Sequence, residues 1–271
     1  MLKLTDENYY SQEADREYMS YSQYKNFLRC EARAMAKLNG WQEKKKDALL
    51  LGSFVHAWNE GEDAFKAFPS QNPELFTNKG ELRANFKHGL VMIDALKNDP
   101  LVNLALSGEK EAIVTAEFAG CTWKSKLDVL DREEGKIVDL KTARDIYEKV
   151  WIDDGIKKQP VTFIQGYGYT GQMALYGEIE RLDAKRDTYL DLYMAIVTSQ
   201  DPPDKIVISF HPNWIMDELA YIQKNMPHIL DVKAGRVEPD RCERCEYCRE
   251  TKKLDRVIDF DEFCEMVLIG G

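Results

Sequence analysis

The chain reads as an α/β fold, a mixed central β-sheet flanked by α-helices, and three observations carry that reading. First, "EAIVTAEFAG", "CTWKSKLDVLD" and "GKIVDLKTA", between residues 111 and 143, alternate apolar and polar positions. They are parted by short turns containing Gly120 and Gly135, which is the pattern of an antiparallel meander. Second, two more β-rich runs, "TYLDLYMAIVT" and "DKIVISFH", follow a helical stretch. Third, helical periodicity dominates before the meander and after His211, so helices are available to cover both faces of one sheet.

Taken in order, Ser20 followed by Gln23 has the form of a capping box, and Tyr21 to Leu38 then reads as an amphipathic helix stopped by Asn39-Gly40. Lys44, Lys45 and Lys46 make a basic segment. From Asp47, "DALLLGSFVHAWNEG" reads as a mostly buried helix ending near Gly61 and carrying His56. Residues 62–110 are helical and loop-rich, broken at Pro69, Pro73 and Pro100. After the meander a helix is expected from about Thr162 to Leu182. A long one from Pro212 to Ala234, stopped by Gly235, precedes a cysteine-rich segment at 241–250. No repeat, low-complexity tract or linker divides the chain, so a single domain over 1–271 is expected.

The formal net charge of −10 argues against a protein that coats nucleic acid through bulk electrostatics, because that mode rests on lysine and arginine neutralising phosphates. An enzyme with a local basic channel stays open, with Arg83 and Lys87, Lys157 and Lys158, and the segment near Lys44 as candidate surfaces. There is no uncharged apolar run of about eighteen residues and no basic-then-apolar leader. Neither a membrane span nor a secretory signal is expected, and the cytoplasm is the expected compartment.

The chemistry starts in "KIVDLKTA". Side chains alternate along a strand, so Val138 and Leu140 share one face while Ile137, Asp139 and Lys141 share the other. An apolar strand thus ends by aiming a carboxylate and an ammonium the same way. Asp128 lies on the preceding strand across a short turn, and neighbouring strands stand about 5 Å apart. Two adjacent carboxylates repel unless a cation lies between them, which is the chemistry of Mg²⁺ or Mn²⁺ ligation. Glu117, on the strand before, is a further candidate for the same site.

With these residues in view, Asp128 followed by Asp139-Leu140-Lys141 resembles the PD-(D/E)XK nuclease signature. "GSFVHAW", "KLDVL", "VDLKTA" and "QMALY" resemble, in order, the motifs of the RecB-type branch and of the RecE-like and λ-exonuclease-like phage recombination exonucleases, over roughly Ser20 to Cys248. Leu127 stands where the family name has its proline. The resemblance implies a restriction-endonuclease-like core in which His56, Asp128, Asp139 and the Leu140 backbone carbonyl hold Mg²⁺ or Mn²⁺. Lys141 would position water or stabilise the transition state. Gln172 and Tyr176 match the Q-x-x-x-Y helix motif that supports the site. Four residues apart, they share a helix face that Tyr169 and Gln165 extend, and glycines 166, 168 and 171 suggest close packing or approach by a ligand.

Three of the six cysteines crowd into "CERCEYC", a spacing that suits a metal or cluster and needs a fourth thiolate. Cys30 lies in a segment similar to the N-terminal element of cluster-bearing RecB-type nucleases. The resemblance therefore implies a [4Fe-4S] cluster through Cys30, Cys242, Cys245 and Cys248. The gap between the last two cysteines is shorter than in that family, so zinc and free thiols stay open.

The expected function is a metal-dependent exodeoxyribonuclease that resects linear double-stranded DNA ends. The resemblance implies a recombination role, with a single-strand annealing protein as partner and a homo-oligomeric ring around the duplex. The alternatives are an endonuclease or RNA-cutting enzyme of the same fold, and a noncatalytic DNA-binding or scaffold module with structural zinc.

Overall fold

A computed structural model of the chain describes residues 2–44, 47–153 and 157–269; Lys45 and Lys46 of the expected basic segment lie outside the described residues. Among the described residues, seven α-helices and a 3₁₀ turn at Pro73–Leu75 come first: α1 (Gln12–Glu17), α2 (Tyr21–Arg29), α3 (Glu31–Leu38), α4 (Asp47–Glu60), α5 (Glu62–Gln71), α6 (Ala84–Lys97) and α7 (Pro100–Ala105). The meander follows as β1 (Glu109–Phe118), β2 (Cys121–Asp131) and β3 (Lys136–Ala143), then a hairpin of β4 (Lys149–Asp153) and β5 (Lys158–Thr162). Two helices, α8 (Phe163–Gly166) and α9 (Tyr169–Asp183), lead to β6 (Asp191–Thr198) and β7 (Lys205–Ser209). The chain ends in α10 (Pro212–Lys233), α11 (Glu246–Glu250) and α12 (Phe260–Ile269). No helix among the described residues is long and apolar enough to cross a membrane.

The sheet is mixed, as expected: its order is β1-β2-β3-β6-β7, with β3 and β6 parallel and the other neighbours antiparallel. Each face buries one apolar core. Val138 and Leu140 of β3 pack with Phe54 of α4 and Phe86, Met92 and Leu96 of α6. Ile137 faces the other way, into a larger core with Tyr24 of α2, Trp123 and Leu127 of β2, Met173 of α9 and Leu219 of α10. The alternation expected for 136–143 therefore holds, and it delivers Asp139 and Lys141 to the side of the sheet covered by α2, α9 and α10.

Two expected helices are each broken in two. The run from Tyr21 stops at Cys30, whose extended backbone (φ −171°, ψ 108°) ends α2 and begins α3. Ser20 does cap α2 through the Gln23 amide, but the Gln23 side chain turns away to Asp15 and the Tyr18 carbonyl, so only half of the capping box forms. The run from Thr162 breaks at Gly168, which takes a left-handed conformation (φ 71°) that starts α9 afresh. Its carbonyl accepts the Tyr21 hydroxyl at 2.6 Å, and a Cβ on Gly171 would collide with that same hydroxyl. Gly168 and Gly171 thus serve the close packing of α2 on α9, while Gly166 abuts Val150 of β4.

Candidate active site

The site opens where the sheet parts. β2 and β3 pair only through Asp131, Leu130 and Val129, opposite Lys136, Ile137 and Val138, whereas β3 continues beside β6 as far as Ala143. The freed Leu140 N–H donates instead to Asp128 Oδ2 at 2.7 Å, so a side chain satisfies a backbone donor that the ladder leaves over.

The other edge of β2 is set by the turn Ala119-Gly120, whose positive φ values (49° and 86°) are those of a type I′ hairpin. Counting back from that turn, through Ala112 opposite Leu127 and Lys110 opposite Val129, brings Glu111 across from Asp128. Glu111 has φ 54°, a left-handed conformation that costs a non-glycine residue on the order of 1–3 kcal/mol and persists where the surroundings hold it. The ladder skips this one pair, and both side chains are turned toward α4.

From α4 comes His56, with Nδ1 3.3 Å from Asp128 Oδ1. One ligand atom each from His56, Glu111 and Asp128 lies within 4.8 Å of the other two, and all three residues are half-buried. Asn59, three residues along α4 from His56, donates to the Asp128 carbonyl at 3.3 Å and accepts from Lys110 at 2.9 Å. Lys126 stands 3.1 Å from Glu111. Burial pushes the Asp128 carboxyl up, but the charge and hydrogen bond of His56, with Lys141 and the Leu140 amide, outweigh it and hold the group below the usual range. Burial would likewise lower the imidazole, and Asp128 holds it above its ordinary value. Glu111 is raised by burial and then by the Asp128 charge.

Beyond the gap, Asp139 is buried with Lys141 Nζ 2.8 Å from Oδ1 and 2.6 Å from Oδ2. Oδ2 meets Lys141 as an ion-pair contact only and has no hydrogen-bond donor among the described residues. Burial raises the Asp139 carboxyl despite Lys141, and the Asp128 charge adds to the rise. Burial would lower the Lys141 ammonium, but Asp139 and Asp128 keep it above its ordinary value and therefore charged at neutral pH. The Tyr169 ring lies 5.0 Å below Nζ. From α9, Gln172 Nε2 reaches Asp139 Oδ1 at 3.4 Å and the Tyr176 hydroxyl at 2.7 Å, so these two share the face expected of them.

Two expectations need correction. Glu117 does not approach the site: it sits opposite Thr122 beside the hairpin turn and is hydrogen-bonded to it, and Glu111 occupies the place considered for it. Gln165 does not extend the α9 stripe, because it closes a capping box with Thr162 at the start of α8. Arg83 is committed to Asp47, and Lys44 lies 3.6 Å from Glu246. A further cation, beside Lys141 and its Tyr169 cover, is Lys25 on α2. Its Nζ lies over the rings of Tyr21 and Tyr169, at 5.3 and 5.5 Å, and burial together with Arg29 and Lys141 pushes its ammonium down to about 8.

A carboxylate from a freed strand, an Asp-x-Lys pair on its neighbour and a histidine from a covering helix make a specific arrangement. Residues 20–251 match the family model described as a PDDEXK-like domain of unknown function (DUF3799). The chain belongs to this PDDEXK-like family. It is also similar to a crystal structure of a "Putative exonuclease" from Eubacterium rectale, at 40% identity and a TM-score of 0.91, covering 97% of this chain and 98% of that one. A second solved structure, SSO0001, aligns over 86% of this chain and 98% of its own at 12% identity, and its TM-score of 0.32 is too low to bear on the fold. No curated protein matches.

The PDDEXK-like family name implies a divalent metal, and the donors of this chain fit one. An imidazole nitrogen and carboxylate oxygens, gathered from three elements, suit a hard cation. A second convergence brings Cys30, Cys242, Cys245 and Cys248 within 4.8 Å of one another, at the joint of α2 and α3 against α11, all four as free cysteines.

Proposed function

We propose that this chain is a metal-dependent nuclease, and specifically an exonuclease that resects linear double-stranded DNA from its ends for recombination. The observation that carries the reading is the parted sheet, with His56, Glu111 and Asp128 on one side of the gap and the Asp139–Lys141 pair on the other. The name borne by the 40% identical neighbour supports the preference for ends.

Mg²⁺ or Mn²⁺ held by His56, Glu111, Asp128, Asp139 and the Leu140 carbonyl would polarise the scissile phosphodiester and make water nucleophilic near neutral pH. Lys141 keeps a full positive charge at the gap, where a phosphate oxygen gains negative charge in the transition state. Gln172 fixes the Asp139 carboxylate, and Tyr176 fixes Gln172. The Tyr169 ring covers Lys141 and holds its ammonium in place. Lys25 and Arg29 add local positive charge beside Lys141 on a chain of net charge −10. A homo-oligomeric ring around the duplex would relieve that shortage further, and a single-strand annealing protein is the partner that this reading implies, in the cytoplasm.

The test is degradation of end-labelled duplex with and without Mg²⁺, in parallel with closed circular duplex. Metal-dependent loss of linear DNA with circles left intact is the expected result. Destruction of circles at a comparable rate contradicts action from ends, and no cleavage under either condition contradicts the nuclease reading.

Lys25 adds a pH signature. Its folded value of about 8 lies below that of a free lysine, so the charge is lost as pH rises through about 8. Phosphate beside it restores the proton, so duplex affinity, measured by anisotropy with Ca²⁺ in place of Mg²⁺, is expected to weaken above that pH. Lys25→Gln is expected to bind more weakly and to lose this step; a variant that keeps the wild-type pH profile contradicts the assignment.

A further inference from the structure

The geometry points to a single tetrahedral zinc ion held by Cys30, Cys242, Cys245 and Cys248, in place of the [4Fe-4S] cluster that the family resemblance implies. Cys30 Sγ lies 3.5 Å from Cys248 Sγ and 3.8 Å from Cys245 Sγ, and Cys242 Sγ lies 4.0 Å from Cys248 Sγ. With metal–sulfur bonds of about 2.3 Å, the corners of a tetrahedron stand about 3.8 Å apart, which is the spacing found. In a [4Fe-4S] cluster each thiolate binds its own iron at a corner of the core, so the sulfurs are held roughly 6 Å apart. The four sulfurs here, all within 4.8 Å of one another, leave no room for that core.

Two features independent of the sulfur spacing point to bound thiolates at this place. The Cys245 amide donates to Cys242 Sγ at 3.3 Å, and the Cys248 amide donates to Cys245 Sγ at 3.4 Å, so backbone N–H groups are aimed at sulfurs as they are where a thiolate must be stabilised. The backbone also breaks a helix to bring in the fourth ligand: Cys30 ends α2 and begins α3, and its buried side chain turns to a segment more than two hundred residues away. With Cys30 and Cys248 buried and four sulfurs present, the site is closed, as in a structural rather than a catalytic centre. The ion would tie the α2–α3 joint to the segment preceding α11. Its existence does not depend on the nuclease reading.

The experiment is elemental analysis of the full chain purified without added metal and desalted. One zinc per chain is expected, with no acid-labile sulfide and no visible absorbance. Cys242→Ser and Cys245→Ser are expected to lower the zinc content at least tenfold, while Asp128→Asn keeps it. Should the cysteine variants not fold, a mercurial titration of the native protein is expected to release one zinc as four thiols react. Iron with stoichiometric sulfide overturns the proposal, as does wild-type protein without bound metal whose cysteines react with no zinc release.

Discussion

Asp128→Asn is expected to lower duplex cleavage by about three orders of magnitude or more at saturating Mg²⁺, with the circular dichroism spectrum of the wild type. Asp128 stands at the centre of the gap: it meets His56, faces Glu111 and satisfies the Leu140 amide, and its carboxyl is held ionised below the usual range. Asparagine keeps an oxygen for the Leu140 amide and so preserves the backbone there, but it removes the negative charge that a cation requires. Duplex binding is expected to survive, because Lys25, Arg29 and Lys141 are untouched. Cleavage within tenfold of wild type would contradict the role assigned to Asp128.

Lys141→Ala is expected to lower the rate of the chemical step by about 10²–10³, seen in kcat under single-turnover conditions more than in KM, since the lost charge acts where the transition state becomes negative. The pH profile separates this role from a structural one. The Asp139 carboxyl is already raised by burial, and Lys141 is the group that opposes the rise. Without it the pKa climbs further, the ionised form is reached only at higher pH, and the residual activity of the variant is expected to grow as pH increases beyond the wild-type optimum. Lys141→Arg keeps the charge and should restore the profile, though not the full rate, because a guanidinium does not reproduce the ammonium's position. An unchanged pH profile in the alanine variant would contradict the coupling.

How much of this was legible in the sequence follows from which parts are local. Alternation along residues 136–143 needs only strand geometry, and it correctly separated Val138 and Leu140 from Ile137, Asp139 and Lys141. The four-residue spacing of Gln172 and Tyr176 needs only helix geometry, and the two side chains do meet. Glu111 escaped because its left-handed backbone breaks the alternation from which side-chain direction is read, and β2 is irregular at the same level: Leu127 and Val129, two apart, enter opposite cores. A signal was nonetheless present, since a two-residue turn at Ala119-Gly120 fixes the hairpin register and places residue 111 opposite 128.

The hairpin of β4 and β5 was missed for a related reason. Its strands are short and charged, Pro160 argues against a strand interior, and Trp151 is exposed rather than buried, so neither pattern nor composition marks it. The breaks at Cys30 and Gly168 were missed because helical periodicity runs on through them. What ends the helices is tertiary: four sulfurs that must meet in one case, and the Tyr21 hydroxyl packed against α9 in the other.

The central claim is that a divalent cation sits in the gap between β2 and β3, and the most direct measurement is anomalous scattering from a crystal of the protein soaked in Mn²⁺. A peak enclosed by His56, Glu111, Asp128 and Asp139 is the predicted result, absent from the Asp128→Asn crystal. A wild-type crystal that takes up Mn²⁺ elsewhere and shows no peak among those four residues would contradict the account.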